Sequence, residues 1–219
     1  DSLDYHAHAQ NLRDFGQFFT LDESGKKIYS SRPPTLSFLL SIFYISSPET
    51  NIIIARFIQI LISVGSIFLI FQISCYVGLK KIYALIPALV LCLYPPSIFY
   101  SSRILTENLA ALLILVSIYL ILRFFYEKEL KFLLFSSISF LLLTLTRSSY
   151  LLLPFFIVFA IFAKAFFFKE SKQIKELSLF LLCYVILLSP WSLRNYSIHG
   201  ELIPTTTRLG YMLYLSNNT

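Results

Sequence analysis

Charged residues are scarce in this sequence. Asp, Glu, Lys and Arg make up 14% of its 219 residues, against about 25% in a soluble domain. The chain is 57% hydrophobic with a mean hydropathy of +0.72, and so thin a charged shell cannot cover so much apolar surface. A soluble globular fold is excluded, and lipid becomes the solvent for most side chains. Glycine is also rare, at 6 residues, so helix packing through GxxxG stripes is not the organising device. Three cysteines, Cys75, Cys92 and Cys183, lie inside apolar runs without pairing or metal-ligand spacing and read as small buried hydrophobes. Also missing are GxGxxG, a Walker loop, CxxC, HExxH and GxSxG, which argues against a nucleotide-driven pump, a metalloprotease and a serine hydrolase. No signal peptide opens the chain, and it starts at Asp1 in a polar stretch, so it reads as a stretch of a longer protein.

What is present is a series of apolar runs. A helix needs about 20 apolar residues to cross the hydrocarbon, and six runs are taken as spans: 52–77, 82–100, 108–126, 131–146, 149–168 and 177–193. A shorter run at 35–45, behind Pro33-Pro34, reads as a re-entrant or interfacial half-helix. The expected fold is an all-α polytopic transmembrane helical bundle, one transmembrane domain over 1–219. Its first loop, 1–34, is extracytoplasmic and carries an interfacial helix.

The net charge is +6, and its distribution fits an anionic leaflet rather than nucleic acid. Lys80, Lys81, Lys128, Lys131, Lys164, Lys169, Lys172 and Lys175 fall in the loops after alternate spans, which marks those loops as cytoplasmic. Arginine runs the other way. Arg13, Arg32, Arg56, Arg103, Arg147, Arg194 and Arg208 fall in or near the outer segments, and only Arg123 lies inside. A guanidinium at an outer membrane face needs an anionic partner, and its planar fork suits phosphate or carboxylate. Candidate chemistry therefore sits on the extracytoplasmic side.

Within the opening stretch, Asp1 and Asp4 stand one helical turn apart, so either can serve as a general base or a cation ligand, or simply favour a helix start. His6 and His8, two residues apart, point to different faces and make a poor metal pair. Arg32 stands directly before two prolines at the membrane entrance, placed for a lipid phosphate or for plain snorkelling. Arg103 and Glu107 are four apart and can pair, although Glu107 opens a span, where an acid is costly unless it faces a wet cavity or a partner. Arg147 and Arg194 add guanidiniums at the outer ends of two more spans.

The order of short motifs is the specific signal. DSLDY with Ala9 and Leu12, then RPP, ARFIQ, YP…YSSRILTE, LTR, PWSLRNY…G and a closing SNN together resemble the polytopic GT-C glycosyltransferases, nearest the protein O-mannosyltransferase and lipid A aminoarabinose transferase branch. The resemblance runs nearly end to end and would cover the N-terminal half of a usual member. It implies an enzyme of the bacterial plasma membrane, its active site facing outside, that takes a sugar from a polyprenyl-phosphate donor and transfers it with inversion to a lipid, glycan or protein acceptor. By motif, Asp1 matches the family's catalytic Asp, Arg32 the basic residue that contacts the lipid phosphate, and Glu107 the acid after Thr that opens a later span. Asp1 is expected as base, Glu107 as the group that orients the first loop or the sugar, and Arg32, Arg147 and Arg194 as stabilisers of the leaving phosphate, with Asp4 as a substitute base. Two positions depart from the pattern: Ser2 follows Asp1 where the family often has Glu, and Ser31 stands where some members carry an acidic metal ligand. No metal ligand is assigned, and a divalent cation is left open. A transporter or flippase for an anionic lipid or solute, and a non-catalytic membrane scaffold, are the rival classes.

Overall fold

A computed structural model describes residues 2–21, 24–45, 47–168 and 174–208. The described residues are mostly helical, and they group into two compact units, Asp1–Leu115 and Val116–Thr219.

The first unit begins with α1 (Ser2–Phe15), which ends where Gly16, at φ 65°, returns its amide to the Leu12 carbonyl. A short antiparallel hairpin follows, β1 (Phe19–Leu21) and β2 (Lys27–Tyr29), with Phe19 opposite Tyr29. Strands of three residues are too short to show alternation in the sequence, which is why this loop reads as helix plus coil. The chain then enters α2 (Thr35–Phe43) behind the prolines. The inner face of α1, Tyr5, His8 and Ala9, packs on α2. Phe18 fills the corner, stacked on the His8 ring at 4.1 Å and parallel to Phe38 at 6.1 Å, while Leu3 and Phe15 stay exposed.

Next comes α3 (Pro48–Tyr76), with Pro48 in its first turn, where the missing amide is harmless. Its 29 residues extend to ~43 Å at 1.5 Å per residue, longer than the hydrocarbon layer of about 30 Å. The buried stripe of α3 is small and polar, Asn51, Ala55, Gln59, Ile62 and Ser66, while Ile53, Phe57, Leu61, Val64 and Phe68 are exposed. This inverts the pattern of a soluble helix and fits one that shows its apolar side to lipid. The expected span at 82–100 is instead two helices, α4 (Lys81–Leu93) and α5 (Pro95–Ser101), bent by 60°. Proline disfavours helical backbone in the residue before it, and Tyr94 is accordingly extended at ψ 114°.

The two units share α6 (Glu107–Glu127). In the second unit, α7 (Leu130–Thr144) is followed by a single 3-10 turn at Ser148–Tyr150, then α8 (Leu153–Phe168) and α9 (Ile174–His199). Three helices, α3, α6 and α9, are long and apolar enough to cross a membrane, and the bent α4–α5 pair adds a fourth candidate. They correspond to the expected spans at 52–77, 108–126 and 177–193. The runs at 131–146 and 149–168 give shorter helices, because Leu145 closes α7 and the 3-10 turn takes up the residues that follow. The cysteines are also less buried than expected: Cys92 is exposed and Cys75 and Cys183 are half-buried, on apolar helices whose outer faces lack protein neighbours.

Hydroxyl groups hold the second unit together. Ser117 donates to Ser139 at 2.9 Å and Ser136 to the Ser117 carbonyl at 3.3 Å, joining α6 to α7. Tyr184 of α9, fully buried, meets the Thr144 hydroxyl at 2.8 Å and donates to the Leu151 carbonyl at 2.9 Å. Tyr184→Phe leaves those partners inside an apolar shell and is expected to destabilise the unit by about 1–2 kcal/mol. Thr144→Val is expected to do less, and the double variant to lose less than the sum. Unfolding of the purified protein in a detergent titration series measures all three.

Candidate functional site

In the first unit, the helix start at Ser2, the N-terminal part of α3 and the segment after α5 surround an open cavity of about 750 Å³. Its walls include Ser2, Leu3, His6, Arg56, Ser102 and Arg103. Both guanidiniums are exposed, and neither takes part in an ion pair among the described residues. Arg103 lies with its guanidinium carbon 4.2 Å from the Phe99 ring centre. The expected Arg103–Glu107 pair does not form, because Arg103 sits in a bend before α6 begins, so helical spacing does not relate the two. Two like charges with no carboxylate among the described lining residues raise the local positive potential, which an anion relieves.

The segment that carries Arg103 is fastened from below. Gln59, buried in the α3 stripe, donates from Nε2 to the Leu105 carbonyl at 2.7 Å. On α1, His6 Nδ1 pairs with the Tyr44 hydroxyl at 2.9 Å. Asn51 bonds both the amide and the carbonyl of Ile45, at 2.7 and 2.8 Å, so the α2–α3 link is clamped to α3. Burial lowers the His6 pKa from its usual 6.5 and raises that of Tyr44 above the ordinary phenol range.

Arg32 is placed differently from expectation. It is 7% exposed, and its Nε and Nη2 donate to the same Asp4 oxygen at 2.9 and 2.8 Å, with the Tyr5 ring alongside. The structure thus brings together Arg32 and Asp4, and it gives Asp4 a guanidinium partner. His8, fully buried, reaches Ser31 at 3.2 Å from Nε2, so His6 and His8 do serve different faces. Glu107 is the first residue of α6, half-buried, where the helix dipole favours an acid. Asp1 lies outside the described residues. Arg147 and Arg194 belong to the second unit. Arg147 opens the 3-10 turn, and Arg194 lies over the Trp191 ring at 4.6 Å and donates to Asn195 at 3.1 Å. No group of three His, Cys, Asp or Glu side chains with metal-site geometry occurs among the described residues.

Comparison of the chain with protein-family models, with curated proteins and with solved structures finds no match. The site therefore rests on its own chemistry. Reasoning from the sequence named Arg56 and Arg103 as outer arginines but did not place them in the site. The usable signal was Arg56 itself, a charge inside a long apolar run, which is costly without a wet cavity or a partner.

The Arg32–Asp4 pair makes an asymmetric prediction. Arg32 is buried while the Asp4 side chain is 46% exposed, so Asp4→Ala, which takes a carboxylate away from a buried cation, is expected to destabilise by about 1–3 kcal/mol, more than Arg32→Met. Thermal unfolding of the two variants in detergent gives the comparison. A second expectation concerns pH. The folded state disfavours protonated His6, so the unfolded chain binds more protons below the usual value of 6.5. Stability is full above pH 6.5 and falls as the pH is lowered beneath it, and His6→Gln flattens that part of the profile when unfolding is followed between pH 5 and 8.

Proposed function

We propose that the chain carries the donor-binding part of a membrane glycosyltransferase that moves a sugar from a polyprenyl-phosphate donor to an acceptor on the extracytoplasmic face. One observation supports this reading above the others: an open cavity beside an apolar helix long enough to span, with Arg56 and Arg103 on its walls and no carboxylate partner for either among the described residues. A polyprenyl-phosphate sugar is an anionic headgroup on an apolar tail. The tail fits lipid along the exposed side of α3, and the phosphate fits between the two guanidiniums.

In this mechanism an acceptor hydroxyl oxygen attacks the anomeric carbon from the face opposite the phosphate. The carbon–oxygen bond to phosphate breaks with inversion, its electron pair stays on the polyprenyl phosphate, and the hydroxyl proton passes to a carboxylate, assigned to Asp1 from the motif order. Charge grows on the leaving phosphate, so cations already in place there lower the barrier more than they tighten substrate binding. Arg56 and Arg103 take the phosphate role that the sequence reading gave to Arg32, whose engaged edge holds Asp4. Glu107 keeps its proposed role of orienting the loop or the sugar. A divalent cation remains open to trial by chelation.

The bent α4–α5 pair supports a second reading, since interrupted apolar helices also occur in transporters and flippases. Transfer from a radiolabelled polyprenyl-phosphate sugar by the full-length protein in liposomes separates the two. Arg56→Ala and Arg103→Ala are each expected to lower the rate by about 10²–10³, and Asp1→Asn to abolish transfer while donor binding persists. Translocation of labelled lipid without transfer supports the flippase instead.

A further inference from the structure

A second depression lies on the other side of the first turn of α1. It measures about 480 Å³ and is walled by α1, both hairpin strands and Ser31, within the roughly 300–1,000 Å³ of small-molecule sites. Leu3 lines both this depression and the arginine cavity, so the two are separated by one helical turn.

Its chemistry is the opposite of its neighbour's. Among the described residues the polar lining is Asp4, Gln10, Asn11, Thr20 and Ser31, with no lysine or arginine. Asn11 spends its amide nitrogen on the Phe19 carbonyl at 2.8 Å, which ties α1 to β1. The side chains of Gln10 and Thr20 make no hydrogen bond among the described residues. They present an amide with two donors and two acceptor lone pairs, and a hydroxyl that serves either way. Leu21 and Ile28 add exposed apolar surface beside them.

Charge narrows the ligand class. An anion meets the Asp4 carboxylate with no cation among the described lining residues, and a cation meets a carboxylate already matched by Arg32 at 2.8 Å. What suits amides, hydroxyls and a bonded carboxylate beside aliphatic side chains is an uncharged molecule with several hydroxyls and exposed C–H faces. We infer that this depression binds a neutral, polyhydroxylated ligand, a saccharide, next to the anion cavity. The inference rests on the glycosyltransferase reading in one respect only: there, the saccharide is the acceptor, and its hydroxyl approaches the donor across the Leu3 turn.

The test is saturation-transfer NMR on the full-length protein in nanodiscs, free of sugar detergents, with methyl maltoside as the neutral probe and glucose 6-phosphate and glucosamine as charged ones. Saturation of methyl maltoside, lost several-fold in the Gln10→Ala/Thr20→Ala double variant and kept in Arg56→Ala, is the expected result. No saturation, equal saturation in the double variant, or a preference for either charged probe overturns it. Because this readout needs no turnover, a failed transfer assay with intact maltoside binding defeats the enzymatic reading alone, and the converse defeats only the saccharide site.

Discussion

A polar group in a chain this apolar must find a partner inside the protein or face water in a cavity, since lipid offers neither hydrogen bonds nor charge. The rest of the structure follows from that constraint. The buried stripe of α3 includes Asn51, Gln59 and Ser66, the α6–α7 contact closes on Ser117 and Ser139, and α9 meets α7 through Tyr184 and Thr144. Arg32, buried before the proline pair, is matched by Asp4. Arg56 and Arg103 have no such carboxylate among the described residues, and both line the open cavity of the first unit. On the proposed reading, these are the groups that a bound phosphate would match.

The first turn of α1 gains its significance from the same logic. One of its flanks is cationic and opens beside an apolar helix, and the other is uncharged in sum and rich in hydrogen-bonding groups. Such a division suits a reaction that brings an anionic lipid carrier to a hydroxylated molecule. His6 stands on the cationic side in a pair with Tyr44, and Asp4 stands on the other, so the turn is braced from α2 and from Arg32 at once.

Much of the helical layout was legible because α3, α6 and α9 are long uninterrupted apolar runs, and hydropathy over some 20 residues leaves few alternatives for such segments. The break at Tyr94 was legible only in part. Pro95-Pro96 was visible, but an apolar run continues on both sides of it, and composition alone does not reveal a change of direction. The hairpin escaped because its strands are three residues each. Arg32 and Arg56 show the harder limit: both are arginines near the outer face, and only the fold tells which is buried against a carboxylate and which stands in the open. Asp4 was read as a base, a cation ligand or a helix-start acid, and its pairing with Arg32 was not legible because that partner is 28 positions away in the chain.

The central claim is that a lipid phosphate docks between Arg56 and Arg103, and site-mapped photocrosslinking tests it most directly. The full-length protein in liposomes would be irradiated with a polyprenyl phosphate bearing a photoreactive group on the first isoprene unit, and the adducts located by mass spectrometry. Adducts on the first turns of α3 and on residues 102–105, competed by unlabelled polyprenyl phosphate and lost in the Arg56→Ala/Arg103→Ala double variant, are the predicted outcome. Labelling that falls elsewhere, or that persists undiminished in the double variant, contradicts the account.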